Sequence, residues 1–113
     1  AYQSRGLGDV YKRQVINWST PNAGMDPEYT KAVVDYINNG TPMDEFEGFK
    51  ILERVFFPQE GGGCQIVEAH SMWHVYKFTG PWTKAFGITV EVIPALSDQE
   101  FVSAETEIAS TQS

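Results

Sequence analysis

An α+β domain is what the 113-residue sequence predicts, on three observations. Four stretches have strand character: "VINWS", "GFKILERVFF", "CQIVEA" and "GITVEVIPAL". Two stretches of helical periodicity fall between the first and second of these and between the third and fourth. Segments rich in Gly, Pro and Asn, "TPNAGM" and "PQEGGG", separate most of them. With 42% apolar and 20% charged residues, the chain has the balance of an ordinary globular protein with one core.

The first 14 residues stand apart. They carry two glycines and three of the eight basic residues, Arg5, Lys12 and Arg13, without strand or helix periodicity, and the pattern changes at Val15. The run "LGDVYKRQ" resembles a translated adapter scar of environmental sequencing. Residues 1–14 are therefore expected to be non-native or disordered, with a single domain over 15–113, of which 97–113 form a C-terminal helix and tail.

Each element has its own signal. In "VINWS", Val15 and Asn17 alternate with Ile16 and Trp18. Asp26-Pro27-Glu28 reads as an N-cap, a first-turn proline and an acid at the positive end of a helix dipole. Tyr29, Ala32, Val33, Tyr36 and Ile37 then make one apolar stripe, which Gly40 ends. "TPMDEFE" reads as an acidic loop. The next strand, Gly48 to Phe57, is apolar on both parities, with Phe49, Ile51, Val55 and Phe57 on one and Leu52 and Phe56 on the other. "PQEGGG" turns the chain into a returning strand, Cys64 to Ala69. Ser71 caps a second helix, "MWHVYKFT", which Gly80-Pro81 is expected to stop. A half-exposed strand, Gly87 to Leu96, follows, and Ser97 with Glu100 has the spacing of a capping box for a short last helix.

The order βαββαβ plus a helix is the ferredoxin-like split β-α-β arrangement. Right-handed crossovers place both helices on one face of a four-stranded antiparallel sheet and leave the other face bare. Because the second strand is apolar on both sides, that face needs cover, and a second copy packed sheet to sheet, as in a dimeric α/β barrel, supplies it. A chain of this size buries only about 65% of its unfolded surface, which also favours a homodimer.

"KILERVFFPQEGGGCQIVEAHS", "GPW" and "ITVEVIPAL" together resemble a family of short proteins from cyanobacteria, other bacteria and their phages, catalogued as a domain of unknown function and similar to the dimeric α/β-barrel superfamily. Gly80 stands where many members have alanine, and His70 where an acid is frequent. The resemblance implies the fold and carries no activity.

Composition narrows the function. A net charge of −7 with scattered basic residues speaks against nucleic acid, which needs a positive stripe. No run of about 18 apolar residues predicts a membrane span, and one cysteine, Cys64, fits a reducing cytoplasm. His70 and His74 lack a third firm ligand, so no metal is expected, nor any cofactor. "EGGGC" lacks the ending of a phosphate loop and reads as a turn.

Candidate site residues are Trp18, Glu53, Arg54, Glu68 and Glu91. A glutamate on a covered sheet face could act as general acid or base, and Arg54 could bind an anion. The same charges could equally be solvated or paired across strands, and the tryptophans could be packing. The expectation is a dimeric interaction or small-ligand-binding domain; the alternative is a cofactor-independent monooxygenase-like or isomerase-like enzyme, with its site between sheet and helices near those five residues.

Overall fold

The structure, a computed structural model, describes residues 12–21 and 26–111. Most of the stretch read as a scar, residues 1–11, the last four residues of "TPNAGM", 22–25, and the last two residues of the chain lie outside the described residues. The elements in order are β1 (Lys12–Ser19), α1 (Pro27–Asn38), β2 (Glu45–Phe46), β3 (Phe49–Phe56), β4 (Gly62–Ala69), α2 (Met72–Phe86), β5 (Thr89–Pro94) and α3 (Asp98–Thr111). The α+β class is as the sequence predicts.

The sheet has five antiparallel strands in the order β2-β3-β4-β1-β5, not four, and it stays open. The added strand comes from the acidic stretch read as a loop. Glu45 and Phe46 pair with Lys50 and Phe49 across Gly48, whose φ of +88° suits a tight turn only glycine enters freely. Phe46 is held there by stacking on Phe49 with ring centroids 4.9 Å apart.

β1 also starts earlier than the strand signal at Val15. Lys12, Arg13 and Gln14 pair with Ala69, Glu68 and Val67, Gln14 is buried, and Arg13 Nη2 donates to Glu68 Oε2 at 2.8 Å. The helices begin where their caps predict, although Ser71 makes no side-chain capping bond to α2, and one helix end differs. Asp26 Oδ1 accepts from the Glu28 N–H at 2.9 Å, as an N-cap should. α2, however, runs through Gly80-Pro81 to Phe86 and ends at Gly87, which takes the left-handed conformation. Tertiary contacts outweigh the lost hydrogen bond of Pro81: Trp82 meets Tyr36 edge-on at 5.5 Å, and Phe86 meets Tyr29 at 5.7 Å. α3 begins at the expected capping box, with Glu100 N–H donating to Ser97 Oγ and Ser97 N–H to Glu100 Oε1, yet none of its residues is buried.

One irregularity governs which way side chains point. Between Ile51 and Glu53 the β3–β4 register shifts by a residue, so Leu52 is the extra residue of a β-bulge. Phe49 and Ile51 face the helices before it; Arg54 and Phe56 face them after it, opposite Gln65 and Gly63. Some of the two-sided apolar pattern of this strand is therefore a single face read through a change of parity.

The pairing arranges the sheet in cross-strand rows. On the helix face run Val90–Trp18–Gly63–Phe56, then Val92–Ile16–Gln65–Arg54, then Pro94–Gln14–Val67–Ile51, and finally Ala69 beside Phe49. Ile16, Phe49, Val67 and Ala69 pack there with Val75 and Phe78 of α2. On the opposite face the rows are Glu91–Asn17–Cys64–Val55, Ile93–Val15–Ile66–Glu53 and Arg13–Glu68–Lys50.

Gly63 needs no turn geometry; it sits in β4, and its missing side chain makes room for the ring of Trp18 and the carbonyl of Val55. Gly63→Ala should push the Trp18 ring off the strand and cost about 1–3 kcal/mol. Urea denaturation followed by tryptophan emission reads both effects. An unchanged midpoint and spectrum would mean that the ring does not lie over Gly63.

Candidate functional site

A cleft of about 60 Å³ opens between the helix face of the sheet and the two helices. Its floor is Ile16, Trp18, Arg54, Phe56, Gln65 and Val90; α1 contributes Tyr29, Val33, Tyr36 and Ile37, and α2 contributes Phe78, Thr79 and Trp82. The elements explain the placement. Successive helical turns of the α1 stripe turn Tyr29, Val33 and Tyr36 toward the sheet, and the continuation of α2 past Pro81 brings Trp82 over it.

Beneath the apolar walls lies a polar corner built from three elements and a loop. Arg54 Nη2 donates to Asp44 Oδ1 at 2.6 Å and Arg54 Nε to Gln65 Oε1 at 3.1 Å. The Tyr36 hydroxyl donates to the same Asp44 oxygen at 2.7 Å and accepts from the Met43 N–H at 3.0 Å. With side chains only 16% and 23% exposed, the Arg54–Asp44 pair is shielded enough to need these extra bonds. At the other end of the floor, Trp18 Nε1 donates to the Tyr29 hydroxyl at 2.9 Å, and the Trp18 ring meets Phe56 edge-on at 5.6 Å.

Of the five sequence candidates, Trp18 and Arg54 thus meet in the cleft. Glu53, Glu68 and Glu91 do share a face, but it is the opposite one: Glu68 pairs with Arg13, and Glu53 and Glu91 are exposed. The bulge at Leu52 is what separates Glu53 from the cleft and turns Arg54 into it. Asp44, Tyr36, Gln65 and Tyr29 were not read as site residues, and Trp82, able to stack on a flat ligand, was read first as packing. Tyr29 and Tyr36 carried a signal, since tyrosine on a helix's buried stripe must place a hydroxyl somewhere; Asp44 sat in an acidic run with nothing to single it out.

The histidines lie elsewhere. His74 Nδ1 and Ser71 Oγ are 2.9 Å apart at the start of α2, the His70 and His74 rings are 5.6 Å apart, and the His74 ring fills the space a side chain at Gly48 would need. Among the described residues no group of three or more His, Cys, Asp or Glu is placed to hold a metal ion, and no helix is long and apolar enough to cross a membrane.

An open five-stranded antiparallel sheet, two helices over one face and a small mainly apolar cleft between them define the class: a small α+β domain with a recessed cleft. The family model described as a domain of unknown function, DUF3303, matches residues 15–109, and the chain belongs to that family. No curated protein and no solved structure matches the chain.

Burial, and after it the bond to Asp44, pushes the Tyr36 phenol up from 10.0 to about 12. The native state therefore keeps this proton where the unfolded state releases it. Tyr36 contributes its stability in full below pH 10.0, and that contribution is lost as pH rises to about 12. Tyr36→Phe should lower stability by about 1–2 kcal/mol at neutral pH. Urea denaturation at a series of pH values should show this gap between wild type and variant closing across the same alkaline window. A gap that does not change with pH would place the phenol outside the network.

Proposed function

We propose that the chain is a ferredoxin-like, small-ligand-binding domain that acts as a homodimer in a reducing cytoplasm. The order β3-β4-β1-β5 of the four long strands, with α1 and α2 over one face, supports the split β-α-β reading; β2 is then an added edge hairpin. The observation that carries ligand binding is the cleft itself, in which apolar walls converge on a few fixed polar groups, the usual composition of small-molecule sites. Cys64, which has no second cysteine to pair with, suits a compartment where thiols stay reduced.

The enzyme alternative calls for a carboxylate free to exchange a proton inside the cleft. Glu53, Glu68 and Glu91 face away from it, and Asp44 is held by Arg54 and Tyr36. Binding is the reading that this arrangement favours.

A second copy is the cover proposed for the bare face. Its central row, Ile93–Val15–Ile66, is apolar, with Ile93 39% and Ile66 36% exposed, and Val55 in the next row is 48% exposed. The charges of Arg13, Lys50 and Glu68 lie along one side of that row, that of Glu91 lies on the other, and Glu53 ends the row itself on β3. Opposed sheets would bury the apolar row while leaving the charged residues toward the rim. Light scattering over a dilution series should give a dimer for the wild type and a monomer for Ile66→Glu. Cys64, on the same face, should be alkylated several-fold faster in the variant. A wild type that is monomeric throughout, with Cys64 alkylated at the same rate as in the variant, would contradict the sheet-to-sheet dimer.

A further inference from the structure

The hydrogen-bonding capacity left open at the cleft is nearly all of one kind. Gln65 Oε1 is occupied by Arg54 Nε, the Tyr36 oxygen by the Met43 N–H and its hydrogen by Asp44, and the Tyr29 oxygen by the Trp18 indole. Asp44, the one carboxylate of the polar corner, does not line the cleft. Apart from a second lone pair on Gln65 Oε1, what remain are donors: the hydroxyl hydrogen of Tyr29, the side-chain NH2 of Gln65 and Nη1 of Arg54, for none of which an acceptor is found among the described residues. The Thr79 hydroxyl, able to donate or accept, does not alter the balance.

The cleft continues into a groove. This groove, of about 310 Å³ between α1 and the β3–β4 hairpin, shares Tyr29, Val33, Ile37 and Phe56 with the cleft and adds Val34 and Phe57. Four of these apolar side chains are strongly exposed: Val34 48%, Ile37 43%, Phe56 40% and Phe57 41%. A contiguous exposed apolar strip that leads into a recess lined by donors matches one kind of molecule.

Building on the ligand-binding reading, we infer that the site takes an amphiphile whose single polar end is an oxygen acceptor, a carboxylate or a ketone, with its apolar tail in the groove. The polar end sits against Arg54, Gln65 and Tyr29, and the tail covers Val34, Ile37 and Phe57. The Asp44 charge already balances that of Arg54, so recognition rests on donor geometry rather than on net charge, and both acceptor types fit.

The test compares three ten-carbon probes below their micelle concentrations: decanoate, decan-2-one and decylamine. Titration is followed by tryptophan emission in a Trp73→Phe background, so that Trp18 and Trp82, which line the cleft, are the reporters. Decanoate and decan-2-one should bind, with decylamine roughly tenfold weaker or more, because an ammonium head brings donors against donors and supplies no acceptor. The chain's charge of −7 would favour the amine if attachment were non-specific, so the field works against the expected order. Gln65→Glu, which keeps the oxygen that accepts from Arg54 Nε and replaces the NH2 donor by an acceptor, should weaken the two acceptor probes several-fold and strengthen the amine. Equal binding of all three probes would overturn the acceptor inference while the cleft still binds ligand. Binding of none would overturn the inference together with the ligand-binding reading on which it rests.

Discussion

A single extra residue in β3 decides which chemistry faces which side of this molecule. Without the bulge at Leu52, the alternation begun by Phe49 and Ile51 would carry Glu53 and Val55 to the helix face and send Arg54 out to the bare face. With it, Arg54 and Phe56 join Gln65, Trp18 and Gly63 under the helices. The polar corner of the cleft, the exclusion of Glu53 from it and the aromatic contact between Trp18 and Phe56 all depend on that one shift of register. A guanidinium under two helices is tolerable because Asp44 and Gln65 occupy two of its nitrogens, and Asp44 is in turn held by Tyr36.

The cleft exists because large side chains hold α1 and α2 apart around it. Tyr29, Tyr36, Trp82 and Phe86 meet from the two helices, with centroids 5.5 to 5.9 Å apart, and the first three line the wall opposite the sheet. Toward the β2 end of the sheet the packing is close. Phe46, Phe49 and Phe78 stack in series, and Phe49, Val67 and Val75 are almost wholly buried. The domain thus pairs a solid end with a recessed end, and the polar corner lies at the recessed one.

Much of the architecture was legible in the residues. The cap at Asp26, the stripe from Tyr29 to Ile37, the β3–β4 hairpin and the capping box at Ser97 are local signals, and local physics sufficed to read them. What escaped depended on distant partners. Gly80-Pro81 is a helix stop by propensity, and the chain passes through it because Trp82 and Phe86 find Tyr36 and Tyr29 far away in sequence. Glu45-Phe46 has too short a pattern to announce a strand, and becomes one because Phe46 can stack on Phe49. Of the candidate site, Trp18 and Arg54 were visible, but Asp44, Tyr36, Gln65 and Tyr29 were not. A bulge has no reliable sequence mark, and once its position is unknown every later residue in the strand is assigned to the wrong face.

The central claim is that Arg54 lies on the helix face, bound to Gln65 and Asp44 beneath the cleft. Side-chain NMR tests it most directly, through the Nε–H resonance of Arg54 in protein labelled with nitrogen-15. The expected result is a sharp resonance, protected from exchange with water, with Overhauser contacts to the Gln65 side chain and the Tyr36 ring. An Nε–H that exchanges freely and shows contacts to residues of the bare face, such as Cys64 or Ile66, would mean that the strand runs without its bulge and that the cleft lacks its polar corner.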